Sequence, residues 1–253
     1  APVTQIDGGL NDSISSKLKS ILIIGANNNL PQILEELAAH AKTEVKVDIL
    51  IAPNQTTPNQ MSSLNILNVT THSIEPSMEK CLNRTNLDHY DVVFILADEN
   101  STDPDAQTIL TLLLLREIEN KPQQTAFPPV VAEFVDESSK KLCVDTPITD
   151  GVVSTSFVSM QLAHMAEIPV LYSIYKELLS AGGIEICFRP IDRYGLNQSS
   201  YSFSELKSLV QNTHEIAIGI KKAHKKIEIN PKNKSKYKYS ADDKVVVLAQ
   251  QIY

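Results

Sequence analysis

Apolar positions along the chain alternate between two habits. Residues 20–25 (Ser-Ile-Leu-Ile-Ile-Gly) form a short uninterrupted apolar run that stops at glycine, the pattern of a strand buried on both faces. Leu30, Ile33, Leu34, Leu37, Ala38 and Ala41 then recur at the spacing of one helical face. Residues 45–52 predict a second strand halted by Pro53, and 53–60 a polar loop. A third strand is predicted at 64–71, a short helix at 76–82, and a fully buried fourth strand at 91–97. The next helix is well signalled, with Asp103 placed to cap it, Pro104 in its first turn and residues 109–118 as its apolar body. A fifth strand at 129–135 and a short sixth at 151–153 complete a strand–helix alternation of about 155 residues, which predicts a doubly wound parallel sheet.

The rhythm changes after residue 155. Helices are predicted at 157–166 and 171–179, broken at Pro169, and Ala181-Gly182-Gly183 ends the second. Strands at 184–188, 215–220, 227–229 and 244–248 follow, with Ser202-Phe203-Ser204-Glu205 opening a helix as a capping box. The predicted fold class is therefore α/β, a Rossmann-like doubly wound parallel sheet followed by a helical crossover and a small α+β C-terminal lobe. The expected division is a linker at 1–18, the Rossmann-like lobe at 19–155, the crossover at 156–181 and the second lobe at 182–253.

Composition narrows the class of protein. Of 253 residues, 42% are hydrophobic and 21% charged, which suits a globular chain with a substantial core. The net charge of −7 argues against a nucleic-acid-binding fold. No apolar run is long enough to cross a bilayer, and 1–10 lacks the basic-then-apolar order of a signal peptide. The chain starts at Ala1, without Met, and reads as a piece of a longer protein whose membrane part, if any, lies elsewhere. Cys81, Cys143 and Cys187 are widely spaced and odd in number, which fits reduced thiols in a cytosol better than disulfides or a zinc site.

Two places are candidates for ligand chemistry. The first strand–helix turn, where a Rossmann fold takes a dinucleotide through G-x-G-x-x-G, reads Gly25-Ala26-Asn27-Asn28-Asn29-Leu30. Only the first glycine is present, and Asn27 carries a side chain into the space the pyrophosphate needs. The second strand ends in Ala52-Pro53-Asn54 where a ribose-binding acid is expected, and Asp48 comes too early for that role. This chemistry argues against a nucleotide, although Gly25, Asn27, Asn28 and Asn29 remain candidates to bond some ligand or a neighbouring subunit. The second place is the oxygen-rich stretch after the fourth strand, in which Asp98, Glu99, Asp103 and Asp105 are candidate Ca²⁺ ligands. A helix cap plus a solvated acidic loop is the competing explanation, and the spacing is not that of an EF-hand.

Catalytic signatures are missing. His40, His72, His89, His164, His214 and His224 show no metal-ligand spacing, and there is neither a nucleophile elbow nor a Walker A sequence. Asp136-Glu137 and Asp192-Arg193 read as surface charge. The lysines at 221, 222, 225, 226, 232, 234, 236 and 238 read as a solvated hairpin loop, with an anionic membrane or acidic partner as the alternative.

Several stretches together resemble RCK (TrkA-like) domains: Ile21-Leu22-Ile23-Ile24-Gly25 with its asparagine turn, residues 105–118, and Val152-Val153-Ser154-Thr155-Ser156-Phe157-Val158-Ser159-Met160. The ending, Ile229-Asn230-Pro231 and then residues 239–249, is similar to the close of an RCK C-terminal lobe. The nearest likeness is to the second RCK unit of CASTOR/POLLUX-type ion channels, over about residues 18–250. The resemblance implies a regulatory, non-enzymatic gating-ring domain on the cytoplasmic face of a membrane. Its implied partners are like subunits or a second RCK unit of the same parent, and the parent's membrane pore. It also implies coupling of a ligand, Ca²⁺ or a nucleotide in different members, to a tetrameric cation pore. Departures at the glycine turn and at the end of the second strand put nucleotide sensing in doubt and leave Ca²⁺ or a scaffold role. Helices 105–118 and 157–179 are more apolar than one buried stripe requires and are expected to carry subunit contacts. The alternatives are an NAD(P)-dependent oxidoreductase with a degenerate fingerprint, or a TrkA-like transporter subunit encoded apart from its pore.

Overall fold

The structure, a computed structural model, describes residues 18–53, 65–75, 77–122, 126–143, 146, 148–196, 200–223, 227–231 and 237–250. The predicted linker at 1–17, most of the loop at 53–60 and the lysines at 225, 226, 232, 234 and 236 lie outside the described residues. The chain divides into two compact units, Ala1–Ala163 and His164–Tyr253.

In the first unit, β1 (Ser20–Ile24), β2 (Val45–Ile51), β3 (Leu67–Ser73), β4 (Val92–Ile95), β5 (Val130–Phe134) and β6 (Ile148–Val153) form one sheet. Their order is β3-β2-β1-β4-β5-β6 and every pairing is parallel. That order reverses direction between β1 and β4, the point at which doubly wound sheets open a crevice at the strands' C-terminal ends. The helices are α1 (Leu30–His40), α2 (Met78–Arg84), α3 (Pro104–Glu119) and α4 (Glu137–Lys141), with α5 (Ser154–Glu167) running from this unit into the next.

The central strands β1 and β4 are apolar on both faces because each face is covered. Ile21, Ile23, Val47 and Ile49 pack with Leu30 and Leu34 of α1 on one side. Leu22, Ile24, Val93, Ile95, Ala132 and Phe134 pack with Leu112, Leu115 and Ile118 of α3 on the other. Asp103 caps α3 by accepting the Ala106 amide at 3.0 Å, and Pro104 opens it where no amide donor is needed, as the sequence predicted. The short α4 was missed: Asp136, read as surface charge, is its N-cap and accepts the Ser138 amide. The third strand begins at Leu67, and the second helix starts at Met78, where Ser77 caps it, two residues beyond the predicted start, and runs to Arg84.

In the second unit, α6 (Leu171–Leu179) leads into β7 (Ile184–Pro190), β8 (Ser200–Tyr201), α7 (Phe203–Gln211), β9 (Ile216–Lys221), β10 (Ile227–Ile229), β11 (Tyr237–Lys238) and β12 (Lys244–Gln250). The main sheet has the order β10-β9-β12-β7 and is antiparallel throughout. Alternation gives it one covered face: Cys187, Ala217, Val245, Val247 and Ala249 pack with Phe203, Leu206 and Val210 of α7. The capping box at Ser202 and Glu205 is fully formed, each side chain bonding the other residue's amide.

Candidate functional site

The site is built at the reversal point of the six-stranded sheet. Gly25 leaves β1 with φ +91°, and a Cβ there would sit 2.7 Å from the Leu96 carbonyl oxygen, so the turn's first position demands glycine. The chain then enters α1 through the three asparagines. Asn27 Nδ2 donates to the Ala97 carbonyl at 3.1 Å and to Glu133 Oε2 at 2.7 Å, while its Oδ1 accepts the Asn29 amide at 3.0 Å. Asn28 Nδ2 donates to Glu99 Oε2 at 2.6 Å. The Ala97 amide donates to the same Glu133 oxygen at 3.2 Å. The exits of β1, β4 and β5 are thus stitched together by side chains.

Asn29 is the N-cap of α1 without a side-chain capping bond, and Asn27 and Asn28 do the bridging. Glu133 was not anticipated. The signal was a lone carboxylate in the apolar strand Val130–Phe134, on the face opposite Val130, Ala132 and Phe134. A charge in that position needs donors, and the asparagine turn and the Ala97 amide supply them.

The four acids expected to share a cation have separate partners. Asp98 accepts the Asn100 amide at 3.0 Å, Glu99 bonds Asn28, and Asp103 caps α3. Asp105 is buried and takes the Val135 and Asp136 amides at 2.8 and 2.9 Å, bracing the exit of β5. Among the described residues, no three His, Cys, Asp or Glu side chains gather where they could hold a metal ion.

The residues at the turn do not fit a dinucleotide. A pyrophosphate there needs free amides at the helix start and an open path to the backbone. Asn27 Oδ1 already takes the Asn29 amide, the Asn27 carbonyl takes the Leu30 amide at 3.2 Å, and Pro31 has none. The carboxylates of Glu133 and Glu99 would face the phosphates.

Two further carboxylates sit in the units' interiors. Asp48, on β2, bonds Lys46 Nζ at 2.6 Å, Tyr90 Oη at 2.8 Å and His72 Nε2 at 3.2 Å. Burial opposes its ionisation, but the hydrogen bonds from Lys46, Tyr90 and His72 outweigh this and hold its pKa below the usual aspartate value. Burial, reinforced by Asp48, pushes the Tyr90 hydroxyl well above its ordinary range. In the second unit Glu215 receives Arg189 Nε at 3.0 Å, Thr213 Oγ1 at 3.2 Å and the Tyr194 hydroxyl, with Arg193 at 3.6 Å. Burial and Glu215 raise the Tyr194 pKa far above normal. Arg193, taken from the sequence as surface charge, is only 16% exposed in its side chain. It is drawn inward because Tyr194, its neighbour in the 3-10 turn Ile191–Tyr194, is core.

No protein-family model matches the chain. It is 33% identical over 195 residues to "Probable ion channel POLLUX" of Arabidopsis thaliana, covering 64% of this chain and 24% of that protein. "Ion channel DMI1" of Medicago truncatula is 29% identical over 195 residues, covering 64% and 22%. "Ion channel CASTOR" of Lotus japonicus is 28% identical over 196 residues, covering 65% and 23%. The chain is homologous to the CASTOR/POLLUX-type ion channels. It spans about a quarter of the length of these channels. Among solved structures, the GsuK channel overlays with a TM-score of 0.43 at 11% identity, over 92% of this chain and 37% of that one. The GsuK channel bound to NAD gives 0.43 at 12% identity, with the same coverage. No helix among the described residues is long and apolar enough to cross a membrane.

Proposed function

We propose that this chain is a regulatory RCK-type domain of a tetrameric cation channel, corresponding to the second such unit of a CASTOR/POLLUX-like parent. In this reading 19–155 is the Rossmann-like N-lobe, 156–181 the crossover and 182–253 the C-terminal lobe, held on the cytoplasmic side of the membrane. The observation that carries the reading is the homology to these channels over 195 residues. A second observation supports assembly with like units: α5 and α6 bury none of their residues, and Phe157, Met160, Leu162, Val170, Tyr172 and Ile174 are exposed. Leu110 and Leu113 of α3 are likewise exposed, which fits the subunit contacts expected of that helix. Apolar faces on this scale mark protein interfaces.

The domain's role is to bias the pore by favouring one ring geometry, with no chemistry of its own. Ca²⁺ is the ligand to test first, with Asp98 and Glu99 as the loop acids that neither cap α3 nor brace β5. The test is single-channel recording of the parent channel with and without Ca²⁺, beside a parent in which Ile174→Asp and Tyr172→Asp disrupt the exposed helix face. Altered open probability in the double variant is expected. Gating identical to the parent's at every Ca²⁺ concentration would refute the regulatory role.

A further inference from the structure

We propose that Asn27 and Glu133 are a built-in occupant of the switch-point crevice, holding the exits of β1, β4 and β5 in one geometry without a nucleotide. The inference concerns the first unit alone and stands whether or not the chain gates a pore.

A dinucleotide in a doubly wound sheet does two mechanical things besides binding. Its phosphates satisfy the amides at the start of the first helix, and its body spans the gap where strand order reverses. Both tasks are performed here by side chains. The Asn27 Oδ1 takes the Asn29 amide at 3.0 Å, standing where a phosphate oxygen would accept. Its Nδ2 crosses from the β1 exit to the β4 exit at the Ala97 carbonyl, 3.1 Å away, and onward to the β5 carboxylate of Glu133 at 2.7 Å. Glu133 closes the loop by accepting the Ala97 amide at 3.2 Å. A second strut, Asn28 to Glu99 at 2.6 Å, spans the same reversal nearer solvent.

The arrangement is reciprocal, which is why it holds. Asn27 uses both ends of its amide, and one Glu133 oxygen collects donors from two different strand exits. Bonds to an ionised acceptor are stronger than neutral ones, and partial burial limits competition from water. An asparagine at the second glycine position therefore does more than obstruct a cofactor: it replaces the cofactor's contacts. A polyanion would have to displace these bonds and approach two carboxylates at once.

The test uses the whole chain and two readouts, thermal unfolding of the first unit and amide hydrogen exchange at Ala97 and Asn29. NADH, NAD⁺ and ATP, each added to the unaltered chain, are expected to leave the midpoint and both exchange rates where they were. Glu133→Gln keeps the shape but loses the charge, and is expected to lower the midpoint by roughly 2–6 °C and to speed exchange at Ala97. Asn27→Gly restores the open turn and is expected to speed exchange at Asn29, so a variant that fails to fold does not decide the matter alone. A midpoint raised by any of the three nucleotides would overturn the proposal. So would a Glu133→Gln chain whose midpoint and Ala97 exchange match the unaltered protein.

Discussion

The two larger sheets of this protein bury their apolar side chains to different degrees. The parallel sheet has a hydrophobic cluster on each face, under α1 on one side and α3 on the other. The antiparallel sheet has one cluster, under α7, and its opposite face carries Ile184, Ile186, Phe188, Ile216, Ile227 and Ile229 exposed. Cross-strand register puts Ile186 and Ile216 on either side of Leu248, a continuous apolar row. The parallel sheet is covered on both faces at its centre, whereas the antiparallel sheet carries apolar surface that water disfavours and a partner would cover. Their polar centres differ in the same sense. Asp48 touches a lysine and a histidine that are about half exposed, while Glu215 gathers two arginines, a tyrosine and a threonine near the core.

The sharpest way to break this comparison is at Glu215. Replacing it by alanine removes the carboxylate that Arg189 and Arg193, both mostly buried, share, which should cost the second unit about 3 kcal/mol. Urea unfolding followed by probes in each unit should then show the second unit melting early and the first unchanged. A single unshifted transition would mean that the ion cluster contributes little.

A smaller effect is expected on the bare sheet face. Ile186→Asp should weaken self-association by about tenfold or more while changing the isolated chain's stability by under about 0.5 kcal/mol. Light scattering against concentration reads the first quantity and thermal unfolding the second. Strong destabilisation with unchanged association would show that the face is covered within the chain.

The smallest effect belongs to Asp48. Its folded pKa is depressed, so it contributes stability above the ordinary aspartate value of about 3.9 and loses it as pH falls through the lower folded value. Between about pH 6 and about pH 3 the first unit of the native chain should therefore lose more stability than that of Asp48→Asn. Equal losses would remove Asp48 from the account.

The local signals were legible because they are short-range chemistry. Uninterrupted apolar runs marked β1 and β4, Asp103-Pro104 marked the start of α3, and Ser202 with Glu205 marked α7. Half of the candidate site was legible for the same reason: the missing glycine and the three asparagines stand out at a strand–helix turn. Glu133 lies 106 residues from Asn27, and Glu215 lies 26 from Arg189, so neither pairing leaves a mark in the spacing. The acidic loop shows the converse. Asp98, Glu99, Asp103 and Asp105 are close along the chain, yet their carboxylates bond an amide of the loop, the asparagine turn, a helix start and the exit of β5. Proximity along the chain determined which residues could form strands, helices and caps. Only the packed sheet decided which distant donors each buried carboxylate would meet, because a charge taken from water bonds whatever the fold brings within about 3 Å.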